Sequence, residues 1–319
     1  MRQRVPRSRR LDAGRALLAG DPGVRRHVQR SAVAALPLAL LVAAQGYGLA
    51  AMVVALAQHG RFDATAAAVL LGAALGRGVL GWWLERAGRR AAAGAIGRLR
   101  QELVADAARL TAASPGALRP GEVAADVVTQ LPAIESYVGR FLAGGPIVGV
   151  TTVVVLVAVF ITDPLSALLL APTVPLLGVF MWLVGTESGR IAEQRLASLQ
   201  LLGAHLLDVL RGLVDLRAHG RAGFQRSQVR MAAAQYREQT MATLRSAFMS
   251  GLVLELIAML GTALVAVFGG VRLAEGHAEL AAILPALVLA PELYAPIRRL
   301  GAGYHDAADA RAALARLAA

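Results

Sequence analysis

The chain has 319 residues, of which 56% are hydrophobic and only 5% aromatic, and its mean hydropathy is +0.56. This composition excludes an ordinary soluble domain and predicts an all-α membrane protein, because small residues let helices pack closely in lipid. The net charge of +12 comes from arginine alone, and the absence of cysteine excludes disulfides, thiolate metal sites and cysteine nucleophiles.

The first thirty residues form a basic polar segment that contains nine arginines. Its start, MRQRVPRSRR, is similar to the start of a signal peptide. The following apolar run begins only after Gln29 and is about 27 residues long, so we predict a retained membrane span. The preceding stretch, from Leu11 to Gln29, predicts a cytoplasmic elbow helix that lies at the membrane surface.

Six apolar stretches are long enough for the helix of about 20 residues that spans a bilayer. The second and the sixth also contain charged residues. The six predicted spans are Ser31–Ala57, Ala64–Leu84, Val138–Ile161, Leu165–Gly185, Phe248–Val271 and Leu280–Gly301. Three short turns join them in pairs, whereas two polar connections of about 50 to 60 residues must lie together on the other side.

The arginines indicate the orientation. The first thirty residues, the two long connections and the tail from Arg298 onward together hold 29 of the 33. The positive-inside rule therefore places both termini and both long connections in the cytoplasm. Because topology explains most of the basic charge, we do not predict nucleic-acid binding.

The two long connections predict cytoplasmic arms built from pairs of helices. In the first arm, apolar residues recur at helical spacing before and after the turn SPGALRPG. The second arm has the same form around DVLRGLVDLRAHGRAGFQRS. The arms are either solvated hairpins or a docking surface for a cytosolic partner.

Charged residues within spans mark places that face the bundle interior, because a charge at a helix centre costs about 2.5–3.5 kcal/mol on insertion scales. Arg77 lies in the second span and Glu255 in the fifth. Glu255 has two interpretations: a structural pair with Arg77 or Arg298, or a role with substrate or protons.

The sixth span ends in LAPELYAPIRRLGAGYHDA, which is unusually polar. Helical geometry divides its side chains between two faces. One face carries Tyr294, Arg298, Gly301 and His305, and the other carries Glu292, Arg299 and Asp306. We interpret this helix as lining a cavity on one side and pairing with neighbours on the other, or as a span whose arginines only mark its cytoplasmic end. The candidate cavity residues are Arg77, Glu255, Tyr294, Arg298, Arg299, Tyr304 and His305.

The six spans, short outer turns, long cytoplasmic arms and the extension RAALARLAA resemble the transmembrane domain of a six-helix ABC exporter. Three sequence segments make the resemblance more specific, and it covers nearly the whole chain. HLLDVLRGLVDLRAHGRA, FMSGLVLELIAMLGTALVAVFGGVRL and LAPELYAPIRRLGAGYHDAADA are similar to the CydD family, whose members form bacterial CydDC transporters needed for cytochrome bd assembly.

The resemblance implies a heterodimer with a CydC-like half-transporter in the bacterial cytoplasmic membrane. In such exporters the arm turns contact the ATPase domain. The implied contact residues are Ser114, Pro115, Gly116 and Arg119 in the first arm and Gly212, Asp215, Arg217, Gly220 and Arg221 in the second. It also implies export of thiols, namely cysteine and glutathione, and binding of haem. Arginines suit carboxylates or propionates, and His305 or Tyr304 is a candidate ligand for haem iron.

The sequence contains neither a phosphate-binding loop nor an LSGGQ-like signature, and it lacks the lysine that such a loop needs. We therefore expect residues 1–30 to form the basic segment, 31–310 the transmembrane domain and 311–319 the start of a linker to a separate ATPase domain that binds ATP and Mg²⁺. No catalytic residue or metal site is predicted. Two alternatives stay open: an exporter of lipid or hydrophobic peptide, and a membrane scaffold without a transport cycle.

Overall fold

A computed structural model describes residues 21–113 and 134–317 of the chain. The described residues are almost entirely helical and contain no strand, which confirms the predicted all-α class. A short π-helical turn, Tyr137–Phe141, precedes the third helix. The helices are α1 (Pro22–His59), α2 (Ala64–Ala113), α3 (Leu142–Thr162), α4 (Pro164–Leu170), α5 (Thr173–Arg211), α6 (Leu213–Ala218), α7 (Ala222–Ala274) and α8 (Leu280–Leu317).

Six helical segments are long and apolar enough to cross a membrane, and they coincide with the six predicted spans. The chain is therefore a multi-pass membrane protein. Its two longest helices, α2 with 50 residues and α7 with 53, far exceed what one crossing needs. At 1.5 Å per residue they measure about 75–80 Å, so each continues far beyond a hydrocarbon core of about 30 Å. These continuations are the predicted cytoplasmic arms.

The first helix begins at Pro22, directly after an N-cap residue. Asp21 Oδ1 accepts hydrogen bonds from the backbone N–H groups of Gly23 (2.7 Å) and Val24 (3.1 Å), which are otherwise without helical partners. Residues 22–29 therefore continue into the first span and do not form a separate elbow helix. The earlier part of the predicted elbow lies outside the described residues.

The fourth span is broken near its outer end, although the sequence predicts one helix. Helix α4 ends at Leu170 and α5 starts at Thr173. Pro172 and Pro175 lack the N–H groups that would continue the ladder. The Thr173 hydroxyl donates instead to the Leu170 carbonyl oxygen at 2.6 Å, which stabilises the break.

Helix α8 is the central element of the bundle, because it packs against α1, α3, α5 and α7. Leu289, Leu293 and Tyr294 of α8 are fully buried there. Three prolines lie within this helix without ending it: Pro285, Pro291 and Pro296. Helix α8 therefore connects two groups of helices, one containing α1, α2 and α3 and the other containing α5 and α7.

A second apolar cluster lies at the end of the bundle from which the arms extend. It joins Val24 at the start of α1, Leu99 in the first arm, Tyr137 in the π-helical turn and Ala307 near the end of α8. The base of the first arm is thus packed against the helix that carries the candidate cavity residues.

Candidate functional site

The strongest polar constellation within the spans joins three helices. Arg77 on α2 donates two hydrogen bonds to Glu292 on α8, from Nη1 to Oε1 at 3.0 Å and from Nη2 to Oε2 at 2.8 Å. Nη1 also donates to Gln45 Oε1 on α1 at 3.1 Å. The side chains of Arg77 and Glu292 keep 25% and 30% exposure. We call Arg77, Glu292 and Gln45 the polar triad.

The polar triad lies deep in the membrane-spanning part. Arg77 is 13 residues past the start of α2, Glu292 is 12 past the start of α8, and Gln45 is 14 before the end of α1. At 1.5 Å per residue these three positions are about 18–21 Å from the outer helix ends. All three residues therefore lie at about the same level of the bundle, well inside their apolar helices.

A second arginine–carboxylate pair lies nearer the end of the bundle from which the arms extend. Arg298 on α8 donates from Nη1 to Glu255 Oε2 on α7. Of the two partners expected for Glu255, the structure therefore selects Arg298, while Arg77 pairs with Glu292. This second pair is more open, with 33% of the Arg298 side chain and 49% of the Glu255 side chain exposed.

Tyr294 is fully buried between α8 and the break in the fourth span. Its hydroxyl lies 2.9 Å from Thr173 Oγ1. On α7, Gly261 leaves room for the tyrosine ring, because a Cβ at Gly261 would collide with the Tyr294 hydroxyl. In this conformation Tyr294 holds α8 against its neighbours and does not line open space.

The two predicted faces of α8 contact different helices. On the face of Tyr294 and Arg298, a Cβ at Gly301 would lie 2.7 Å from Leu254 Cδ1 and 3.0 Å from Met181 Sδ, so this glycine permits close contact with α7 and α5. On the opposite face, Glu292 meets α2. The division between the faces agrees with the sequence, but both faces make helix contacts.

Three further candidates lie in the C-terminal half of α8. Arg299 is exposed. Tyr304 and His305 belong to the same helix, and their side chains lie outside the part that the structure describes.

The turn of the second arm contains a short helix, α6, between Gly212 and His219. Of the predicted coupling residues, Asp215 and Arg217 lie within α6, and Gly212 and Arg221 lie at helix boundaries. Gly220 has φ +65°, a backbone conformation that residues with a side chain rarely adopt. The predicted contacts of the first arm, Ser114, Pro115, Gly116 and Arg119, lie outside the described residues.

The structure reveals an ion pair that sequence reasoning missed. Asp163 is only 2% exposed, and Nη1 of Arg272 donates to both of its carboxylate oxygens at 2.9 Å. The Ser166 hydroxyl donates to the same carboxylate. Both residues lie between predicted spans, in short turns on the same side of the bundle, and their opposite charges were the available signal.

His27 is a second residue that the sequence did not indicate. It is buried at the base of the first arm, and its Nε2 lies 3.3 Å from the Gly139 carbonyl oxygen in the π-helical turn. Gly88 of α2 makes this packing possible, since a Cβ there would lie 3.0 Å from the imidazole. π-Helical turns often occur at functional sites.

Among the side chains that the structure describes, no group of three or more His, Asp or Glu residues could hold a metal ion. The described polar chemistry at membrane depth therefore consists of arginine–carboxylate pairs with amide and hydroxyl neighbours. Such groups can bind and orient charged small molecules.

The family profile and the individual relatives of this chain indicate the same protein family. The profile of the ABC transporter transmembrane region matches residues 33–296. The chain is 34% identical over 240 residues to the glutathione/L-cysteine transport system ATP-binding/permease protein CydD of Escherichia coli, covering 72% of this chain and 40% of that protein.

Two further relatives carry similar names. The CydD protein of Haemophilus influenzae is 30% identical over 240 residues, which cover 73% of this chain and 41% of that protein. The CydC protein of Bacillus subtilis is 38% identical over 169 residues, which cover 53% of this chain and 30% of that protein. The chain thus spans less than half the length of these curated relatives.

Proposed function

This chain belongs to the ABC transporter transmembrane family, and we propose that it is the membrane half of an ATP-driven exporter of glutathione and L-cysteine. The names of the relatives support this cargo. The structural observation that carries the proposal is the polar triad, because a partly open arginine–carboxylate pair at membrane depth suits small charged cargo better than apolar cargo.

In this proposal, the ion pairs beside α8 and the tip of the second arm have different roles. The triad and the Glu255–Arg298 pair lie on opposite sides of α8, which connects the two helix groups. A movement of α5 and α7 relative to α1 and α2 would therefore change the surroundings of both pairs. Helix α6, at the tip of the second arm, is the element through which we expect an ATPase domain to drive this movement.

The proposal includes partners and location. We expect a CydC-like half-transporter to complete the cavity, and ATPase domains that bind ATP and Mg²⁺ to supply energy. We place the assembly in the bacterial cytoplasmic membrane with the arms on the cytoplasmic side, because the arms and the segments next to them carry most of the arginines. Its physiological role would be to support cytochrome bd assembly.

Haem binding is a separate prediction that rests on Tyr304 and His305. The described arginines do not fit the two propionates of haem in this conformation, because Arg77 and Arg298 are already paired with carboxylates that would repel an anion. We therefore derive no transport step through haem. A titration that follows the Soret absorption of the wild-type protein and of His305→Ala tests the prediction directly.

The central experiment measures ATP-dependent uptake of labelled cysteine and glutathione into inverted membrane vesicles that contain this chain, a CydC-like half and the ATPase domains. We expect uptake of both thiols and recovery of cytochrome bd in a deficient strain. ATPase stimulation by phospholipid but not by thiols would favour a lipid exporter. Crosslinks between the arms that never change with nucleotide, together with no uptake, would favour a scaffold.

A further inference from the structure

The polar triad differs from the sealed ion pair at the outer end of the bundle. Asp163 is 2% exposed and accepts hydrogen bonds from Arg272 and Ser166, so its carboxylate has almost no surface left for a ligand. Glu292, by contrast, keeps 30% of its side chain exposed although it lies deep among the spans. An open charge pair at this depth has a side on which a small molecule can approach both charges.

There is also space beside the arginine. Gly81 lies four residues after Arg77 and therefore on the same face of α2. Apart from the neighbouring residues and backbone of α2 itself, no described atom lies within 4 Å of where a Cβ at Gly81 would be, and the same is true at Gly78. The part of α2 that follows Arg77 is thus not covered by another described helix, which leaves space there for a ligand.

The charge balance of the triad limits what can bind there. An anion that paired with Arg77 would leave Glu292 without a partner and beside a like charge. A cation that paired with Glu292 would likewise leave Arg77 without a partner. Leaving one partner of such a pair uncompensated in a poorly solvated place is costly. A zwitterion avoids this cost, because its carboxylate can pair with Arg77 while its ammonium group pairs with Glu292.

We propose that the polar triad is a subsite for the α-amino acid head group, in which one ammonium and one carboxylate are attached to the same carbon. This proposal rests on the proposed function: cysteine carries this head group, and glutathione carries it on its γ-glutamyl end. The two Nη atoms of Arg77 bind the carboxylate, and Glu292 accepts hydrogen bonds from the ammonium group. Gln45 keeps its bond to Nη1 and fixes the guanidinium plane.

The subsite predicts which thiols are transported. In the assembled exporter, we expect cysteine to compete for uptake about tenfold or more better than cysteamine, which lacks the carboxylate, or 3-mercaptopropionate, which lacks the amine. Arg77→Gln should remove most of the preference over cysteamine. Glu292→Gln should remove most of the preference over 3-mercaptopropionate. A role in packing alone would not produce these two separate losses.

Two control variants keep the test decisive. Arg89→Gln removes a similar pair on the same helix, which joins Arg89 to Glu85 at 3.2 Å and is 62% exposed on both sides, and it should keep the wild-type preferences. The exchange Arg77→Glu with Glu292→Arg keeps an ion pair between α2 and α8 and so reports on assembly.

The outcomes separate the subsite from the proposed function. Equal loss of all three thiols in the single variants, with full transport in the exchanged variant, would show a packing pair and overturn the subsite alone. A wild-type complex that moves neither cysteine nor glutathione would overturn the proposed function and the subsite with it.

Discussion

Asp163 is the single residue between α3 and α4, and both of its carboxylate oxygens lie 2.9 Å from Nη1 of Arg272 near the outer end of α7. The pair joins the turn between the third and fourth spans to the fifth span. It therefore holds together helices that the chain connects only through the long second arm.

Replacing Arg272 with alanine should leave the buried Asp163 carboxylate without its charge partner. We expect a loss of about 3–5 kcal/mol in the free energy of unfolding, the range found when one member of a buried pair is removed. Thermal unfolding of the purified protein in detergent measures this. Arg61→Ala, which changes an exposed arginine in another outer turn, should be nearly neutral. Equal stability of the two variants would show that the pair is not structural.

The pair between Arg298 and Glu255 allows a test that separates packing from cargo binding. Arg298→Gln should lower both stability and thiol-stimulated ATPase activity of the assembled transporter. Adding Glu255→Gln should restore most of the stability, because no charge is then left alone. If stimulation returns together with stability, the pair only packs α7 against α8; if stimulation stays low, the pair contributes to the cavity.

Tyr294 and Gly261 should behave as a coupled pair. Gly261→Ala places a methyl group against the Tyr294 ring, and overpacking of this kind costs about 1–3 kcal/mol. Tyr294→Phe loses the bond to Thr173, which is worth about 1 kcal/mol. In the double variant the missing hydroxyl relieves part of the collision, so we expect a loss of stability smaller than the sum of the two single losses. Strict additivity in thermal unfolding would contradict the contact.

Asp21 should give the folded protein an acid-sensitive stability. Partial burial opposes ionisation, but Arg98, whose Nε lies 2.8 Å from Oδ2, and the N–H groups of Gly23 and Val24 lower the pKa of Asp21 below its usual 3.8. This contribution is complete above pH 3.8 and is lost as the pH falls through the lower folded-state pKa. Asp21→Asn should remove this pH dependence while keeping a capping residue. Unfolding temperatures between pH 6 and 3 provide the measurement.

The tip of the second arm should bind an ATPase domain through apolar contacts. Val214 in α6 is 79% exposed, so its apolar side chain is available for contact with a partner. We expect Val214→Glu to reduce copurification of the ATPase domain about tenfold, because a charge would be buried in the contact. Phe62→Glu places the same charge on an exposed apolar residue in an outer turn and should have no effect on copurification.

The second arm was largely predictable from sequence, including the turn between Arg211 and Ala222. The break in the fourth span at Pro172 was harder to predict. Many spanning helices tolerate a proline, and the residues around it do not show whether the helix continues. In α8, three prolines are accommodated within one continuous helix. The difference arises from neighbouring contacts, such as that of Thr173 with Tyr294.

The sequence by itself determined the six spans, the long polar arms and the position of the basic charge, which depend on hydropathy, helical period and charge that are local to each segment. Its resemblance to known exporters also indicated the ABC transporter family. Only the tertiary structure decided that Arg77 pairs with Glu292, that Glu255 pairs with Arg298 and that Asp163 pairs with Arg272. Pairing depends on which helices are neighbours and how each is rotated about its axis, and no pattern within a single helix contains that information.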